Sequence, residues 1–264
     1  MGADIQRHAD ADRYEAVRYP GRAYEFSHPD RLATIARLRG LEAPDVETAR
    51  VLELACGDGL NLLGMAYQLP RAHFVATDMC EAPLQTHRRA ARELGLTNLE
   101  LRVGDIETMA RSTETFDYVI AHGVLSWVPD ATKRALMATL GQVLAPNGLA
   151  MVSHNSDPGW RFRTIARDVI RAALGEVPGR DQVNEARRLI HTFADNLEGA
   201  GLYGAVMREL AQYMDASLDV SVYHDLLSPN CDPFDFKRFA ALCEPVGLQF
   251  VGDAVWADSV LSGY

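Results

Sequence analysis

The sequence predicts an α/β fold: a doubly wound, mainly parallel sheet with an N-terminal helical segment and a helical insertion after the fifth strand. Three observations predict it. From residue 50 onward, short apolar runs alternate with amphipathic stretches. A glycine turn, Cys56-Gly57-Asp58-Gly59, directly follows the first apolar run, Val51-Leu52-Glu53-Leu54-Ala55. Residues 160–226 hold no strand-like run and repeat apolar residues at helical spacing.

Residues 1–45 are mostly polar, carry aromatics at Tyr14, Tyr19, Tyr24 and Phe26, and are expected to form a lid or helical segment. Ser27-His28-Pro29-Asp30 reads as a helix start with proline in the first turn, and Leu32, Ile35 and Leu38 share one face of that helix. Strands are predicted over 50–55, 73–77, 99–103, 116–121, 148–154 and 247–252, and helices at about 60–69, 81–94 and 131–144. Asp130 is expected to cap the last helix, with Leu136, Leu140, Val143 and Leu144 as its buried stripe and Pro146-Asn147-Gly148 as its stop. In the insertion, Val183, Ala186, Ile190, Phe193 and Leu197 form one stripe and Tyr203, Val206, Leu210 and Tyr213 another, with breaks at Gly179 and from Gly199 through Gly204. Phe234 through Leu242 reads as a helix feeding the sixth strand at Gly247–Val251. The chain is thus divided into 1–45, a core over 46–159, an insertion over 160–230, and a return to the sheet over 231–264.

A chain of 264 residues with 48% hydrophobic and 23% charged residues has the composition of a globular protein. The net charge of −10 and the lack of a basic stripe argue against a nucleic-acid partner. Arginine-rich stretches such as Arg88-Arg89-Ala90-Ala91-Arg92 sit among acids and read as solvated helix faces. Four cysteines without Cys-x-x-Cys spacing predict no zinc site or disulfide framework, and a reducing cytoplasm. The polar N-terminus lacks an apolar signal core, and no apolar run approaches the roughly 18 residues that cross a bilayer, so no membrane role is expected.

The acids around the glycine turn point to a ligand. Asp78 ends the second strand about 20 residues on, the spacing of a ribose-binding acid. Glu53 and Asp58 would repel the pyrophosphate of a dinucleotide, but they suit a sulfonium and an ammonium group. Those charges predict S-adenosylmethionine. A dinucleotide dehydrogenase would also want glycine at the position of Leu62. Gly57 and Gly59 let the backbone turn sharply and approach the ligand, and the following helix offers free N–H groups to its carboxylate. Glu53 is expected to hold the ammonium, Asp78 both ribose hydroxyls, and Asp105 the adenine amino group, with Met79 and Ile106 on the ring faces. Ala55 and Asn61, on the turn and the next helix, complete the expected cofactor set. An acid after a strand is also often just a helix cap.

Over about residues 48–155 the chain resembles the class I S-adenosylmethionine-dependent methyltransferases. That resemblance implies a Rossmann-like sheet of seven strands with the last antiparallel. Only Ala254-Val255-Trp256-Ala257-Asp258 follows the sixth strand candidate, which predicts a shortened edge or a chain cut from a longer relative. Ala121 through Pro129, Asn155 through Trp160, His28 through Leu32, Tyr223-His224-Asp225 and Asn230 through Phe239 are similar to a bacterial group with a methyltransferase regulatory region. That group includes protein-lysine methyltransferases. His154 and Asp157 depart from it, standing where its members carry tyrosines.

On the acceptor side, His122 after the fourth strand is a candidate base, or a histidine that only hydrogen-bonds cofactor or backbone. His154 with Asp157 is a second candidate pair, or a polar loop after a strand. Tyr24, Trp127, Asn155 and Trp160 are candidate walls of an acceptor pocket, through cation–π contact if the acceptor is an amine. The reading is a methyltransferase acting on an amine, with a protein lysine as the acceptor implied by the resemblance. A small-molecule O- or N-methyltransferase, the insertion closing over a compact substrate, is the alternative. A cofactor-binding regulatory protein that has lost catalysis is a third.

Overall fold

The computed structural model describes residues 14, 17–197, 199 and 201–257, grouped in two units: residues up to 154 with those from 236 onward, and residues 155–235. In the first unit, helix α1 (Pro29–Leu38) starts as the sequence predicts. His28 Nδ1 accepts from the Asp30 amide at 3.2 Å, and Pro29 occupies the first helical position, where no amide is needed. The sheet follows as β1 (Arg50–Leu54), β2 (His73–Asp78), β3 (Leu99–Val103), β4 (Phe116–Ala121) and β5 (Leu144–Val152). All its pairings are parallel, in the order β3-β2-β1-β4-β5. The crossovers carry α2 (Leu60–Gln68), α3 (Glu81–Glu93), the short α4 (Ile106–Met109) and α5 (Asp130–Val143). The strand order reverses between β1 and β4, and in open parallel sheets ligands bind at that switch, beyond the carboxyl ends of the strands.

The middle strands are buried on both faces, as a parallel sheet with helices on each side requires: Val51, Leu52 and Leu54 of β1 and Tyr118, Val119 and Ile120 of β4 are fully inaccessible. Each such side chain contributes roughly 1.5–3 kcal/mol by leaving water. The polar end of Tyr118 is satisfied, because its hydroxyl donates to the Pro44 carbonyl at 2.6 Å. The end of α2 is closed by a side chain. Asn98 Nδ2 donates to the carbonyls of Ala66, Leu69 and Ala72 at 3.0–3.1 Å, acceptors that a helix end leaves open.

Several expectations are corrected. Pro129 takes the N-cap position of α5, and Asp130 is the first helical residue, paired with Lys133 at 2.8 Å. Strand β5 begins at Leu144 directly after α5, so Pro146-Asn147-Gly148 does not end the helix. It forms a kink inside β5 instead, with Asn147 at φ 62° and the regular ladder resuming at Leu149 opposite Tyr118. The sixth strand over 247–252 is absent among the described residues, and neither the implied seven strands nor an antiparallel member forms. Gly247 closes a turn at φ 77°, and Phe250 stacks on Phe236 at 4.9 Å while staying half exposed, so this apolar run meets a side chain rather than a sheet edge. The final helix, α10, spans Phe236–Cys243 and is followed by a turn that presses on α5, where a Cβ on Gly141 would lie 2.8 Å from the Val246 carbonyl oxygen.

The second unit is helical: α6 (Arg161–Leu174), α7 (Val183–Asn196), α8 (Gly201–Ala216) and α9 (Asp219–Leu226). The α7 stripe buries Val183, Ala186 and Ile190, with Ala194 in place of Phe193. The α8 stripe is rotated by one residue from the expected one, burying Gly204, Met207, Leu210, Ala211 and Met214. Gly204 sets this rotation. A Cβ there would lie 2.4 Å from the Leu197 carbonyl oxygen, so this glycine is a point of contact inside a helix, not a break. Buried Arg167 donates to the carbonyls of Asp225 and Ser228 at 2.8 and 2.6 Å, placing its charge at the negative end of α9. Phe234 is not helical. It pairs with Ser156 as an isolated parallel bridge. No helix among the described residues is long and apolar enough to cross a membrane.

Candidate functional site

The acids of the first unit stand at the carboxyl ends of successive strands. Glu53, one residue before the end of β1, is 4% exposed. Its Oε1 accepts from Asn61 Nδ2 at 2.9 Å, while its Oε2 is buried with no hydrogen-bond partner. Burial pushes its carboxyl up to about 8, the nearby Asp58 and Asp78 charges add to this, and the Asn61 bond opposes it. A buried carboxyl with an orphaned oxygen is matched to a cation.

Asp78 ends β2 and holds the glycine turn in place. Its Oδ2 accepts from the Gly57 amide at 2.8 Å and its Oδ1 from the Cys80 amide at 2.9 Å. Burial raises this carboxyl, and the amide bonds counter it. The turn is left-handed at Ala55 (φ 52°), Gly57 (φ 63°) and Gly59 (φ 83°), and for alanine that conformation costs on the order of 1 kcal/mol. The two glycines serve different ends. A Cβ on Gly59 would lie 2.9 Å from Leu101 Cδ2, whereas a Cβ on Gly57 would meet nothing within 4 Å. Gly57 therefore faces open space, and Gly59 packs.

The N-terminal segment reaches the same place. Asn61 Oδ1 accepts from the Tyr24 amide at 2.9 Å, and the buried Ser27 Oγ accepts from Asn61 Nδ2 at 3.0 Å and donates to the Tyr24 carbonyl at 2.8 Å. A Cβ on Gly21 would overlap the Asp58 carboxylate at 2.2 Å, so the chain passes directly against that acid. The Tyr24 ring lies 4.1 Å from the imidazole of His122, just after β4, with Phe26 on the same imidazole at 5.2 Å. Burial lowers the His122 pKa, keeping the ring neutral, and its Nδ1 is buried without a hydrogen-bond partner.

Tyr24, Glu53, Asn61 and His122 are thus brought together, as are Ala55, Gly57, Gly59 and Asp78. Asp105 caps α4, accepting from the amide and hydroxyl of Thr108 at 2.7 Å each. Met79, just after β2, is half-buried, and Ile106, the first residue of α4, is buried. Trp127 is half-buried and its amide closes a turn onto the Val124 carbonyl at 2.8 Å. His154 lies against the Phe239 ring at 4.8 Å. Asn155, Asp157 and Trp160 belong to the second unit, where Asp157 accepts from Arg161 at 2.9 Å and the Trp160 indole donates to Cys231 Sγ at 3.2 Å. Sequence reasoning missed Ser27, Phe26 and Ser153, whose Oγ accepts from the Gly123 amide at 2.8 Å. Small hydroxyls that bridge distant loops leave no periodic signal.

A parallel sheet in this order, with an acid-bearing glycine turn at the switch point, defines a nucleoside-binding α/β domain of the methyltransferase type. Residues 51–148 match a family model described as a methyltransferase domain. An uncharacterized protein of Rickettsia prowazekii is 32% identical over 93% of this chain and 45% of its own length. A trans-aconitate 2-methyltransferase of Variovorax paradoxus is 32% identical over 55% of this chain and 52% of its own. The structure of PKMT2 from Rickettsia typhi in complex with AdoHcy superposes with a TM-score of 0.81 at 29% identity, covering 89% of this chain and 46% of that one. The chain thus spans about half the length of these relatives. It carries a class I S-adenosylmethionine-dependent methyltransferase domain.

Proposed function

We propose that the chain binds S-adenosylmethionine at the switch point and transfers its methyl group to an amine, with a protein lysine as the acceptor. The observation that carries the cofactor half is the orphaned, buried Oε2 of Glu53, beside a turn whose Gly57 faces open space. The residues present fit the ligand. Glu53 with Asn61 would hold the ammonium, Asp78 the ribose hydroxyls through its remaining lone pairs, and Met79 and Ile106 the adenine, with Asp105 at its edge. The cofactor supplies an activated methyl on a sulfonium. PKMT2, described with AdoHcy bound, supports this assignment.

For the acceptor, Tyr24 and His122 supply the chemistry. The Tyr24 face suits a cationic amine, and a neutral imidazole with an unengaged Nδ1 can take the proton that an ammonium must lose before it attacks. His154 is the second candidate base, and Trp127 a further acceptor contact. Residues 18–28, tied to Asn61 through Tyr24 and Ser27, would act as the cover over the cofactor. All four cysteines are free thiols, which suits a cytoplasmic enzyme. The resemblance to trans-aconitate 2-methyltransferase favours a second reading, a small-molecule acceptor.

Calorimetry with S-adenosylmethionine tests the first half: binding is expected in the wild type and lost in Asp78→Ala, and equal binding by both would remove the assignment. Labelled-methyl turnover on a lysine-peptide library and a carboxylate-metabolite library tests the second. Label in peptide is expected, and label only in metabolites would transfer the proposal to the second reading.

A further inference from the structure

The helical unit contains a group of side chains that the methyl-transfer site does not use. Arg163, in the first turn of α6, lies between two aromatic rings, its guanidinium carbon 4.4 Å from the Trp160 centroid and 4.3 Å from the Tyr213 centroid. Tyr213 comes from α8, and its hydroxyl donates to Asp225 Oδ2 of α9 at 3.1 Å. The Trp160 indole is held by Cys231 Sγ at 3.2 Å. Both rings are therefore fixed by bonds at their polar edges, which leaves their faces to the cation.

The acid is part of the same arrangement. The charges of Arg163 and Arg167 both act on Asp225, whose carboxyl burial raises. Arg167 is already committed through both of its terminal nitrogens to the backbone carbonyls of Asp225 and Ser228. Arg163 is the cation that faces the rings. Two aromatic faces with a partly desolvated carboxylate behind one of them make a receptor for a soft, weakly hydrated cation. A guanidinium holding this place from its own chain shows what shape and charge fit.

We propose that Trp160, Tyr213 and Asp225 form a recognition site for a methylated ammonium side chain of a peptide, and that Arg163 is its internal stand-in. A methylated ammonium has the charge and soft surface of the guanidinium, and a quaternary one has no N–H donors to lose when water is excluded. The assignment rests on the proposed lysine-directed activity for its biological sense. It would let the chain hold a segment at a side chain that already carries methyl groups. Arg163 then sets the threshold, since a ligand must displace an intramolecular competitor.

The experiment uses the full chain and trimethyllysine peptide, read by calorimetry without cofactor. Arg163→Gln is expected to bind the peptide at least about 5-fold more tightly than the wild type, since two cation–π contacts are released. Trp160→Leu added to Arg163→Gln is expected to abolish the gain, and the unmethylated peptide to bind more weakly than the trimethylated one. An Arg163→Gln chain that melts as the wild type does, yet binds the trimethylated peptide no better, overturns the proposal. So does a gain that survives Trp160→Leu. Should Arg163→Gln not fold, Arg163→Met, which keeps an apolar stem against the rings and removes the charge, takes its place with the same outcomes. Cofactor binding in these variants is measured separately. Its loss in the wild type would count against the methyltransferase assignment, not against this site.

Discussion

With Glu53 as the proposed partner of the ammonium, its raised carboxyl is expected to make cofactor binding a proton-release reaction. Its carboxyl is raised from the ordinary 4.5 to about 8, so at pH 7 only about a tenth of the free protein carries the charge that the ammonium needs. Between pH 5.5 and 7.5 the ionised fraction rises close to tenfold per unit. The apparent affinity for S-adenosylmethionine is expected to rise with it, and about 0.9 proton to leave per cofactor bound at pH 7. Calorimetry in two buffers of different ionisation enthalpy reads both quantities. Glu53→Gln keeps an acceptor for Asn61 and removes the charge. It is expected to flatten the pH dependence and to weaken binding at pH 7.5.

The same shift has the opposite sign for stability. Between pH 4.5 and 8 the unfolded chain has lost the Glu53 proton and the folded chain keeps it, so this residue makes the free protein less stable as pH rises. At about 1.4 kcal/mol per unit, the loss at pH 7 is roughly 3 kcal/mol, and at pH 5 it has fallen below about 1 kcal/mol. Thermal melts without cofactor are expected to show Glu53→Gln more stable than the wild type at pH 7.5, with most of the difference gone at pH 5. An affinity that changes less than threefold from pH 5.5 to 7.5, with no proton released, would refute the reasoning.

Three further outcomes follow from the geometry. Gly59→Ala, at φ 83° and against Leu101, is expected to lower stability by about 1–3 kcal/mol, while Gly57→Ala, with open space at its Cβ, costs about 1 kcal/mol in melts yet loses cofactor binding; equal binding losses at equal stability would contradict the distinction. His122→Phe keeps the aromatic contact with Tyr24 and removes the nitrogen, and should cut turnover on an accepted amine by about 10²–10⁴ with cofactor affinity unchanged; full turnover would show that His122 is not the base. Asn98→Ala removes the amide that bridges the Ala66, Leu69 and Ala72 carbonyls after α2, which denaturant titration should register as a loss of about 1–3 kcal/mol, and an unchanged midpoint would mean water replaces the amide.

The parallel core was legible because its signals are local. A buried parallel strand must be a short apolar run, and the helix between two such strands must show a stripe, so β1 to β4 and α2, α3 and α5 fall within a residue or two of their expected bounds. Two of the misreadings share a cause in the pairing or packing of one segment against another. Gly204 looks like a helix break, but the close approach of the Leu197 carbonyl makes a side chain impossible there and turns α8 by one residue. Leu248 through Val251 has the composition of a strand, but no edge pairs with it among the described residues. A strand is a property of two segments, and composition reports only one.

The candidate site divides in the same way. Glu53, Asp78 and the glycine pair were readable because the strand ends fix their spacing, and the charge of the acids selects among ligands before any coordinate is known. Asn61 shows what that spacing leaves out. It follows the turn like any polar residue in a first helical turn, yet its amide group joins Glu53 to Tyr24 and Ser27, from 34 or more residues upstream. Its Nδ2 donates to Glu53 and its Oδ1 accepts from the Tyr24 amide, so the two ends cannot be exchanged without breaking both bonds. The orientation of one side-chain amide therefore ties the acid that would meet the ammonium to the segment that carries the Tyr24 ring.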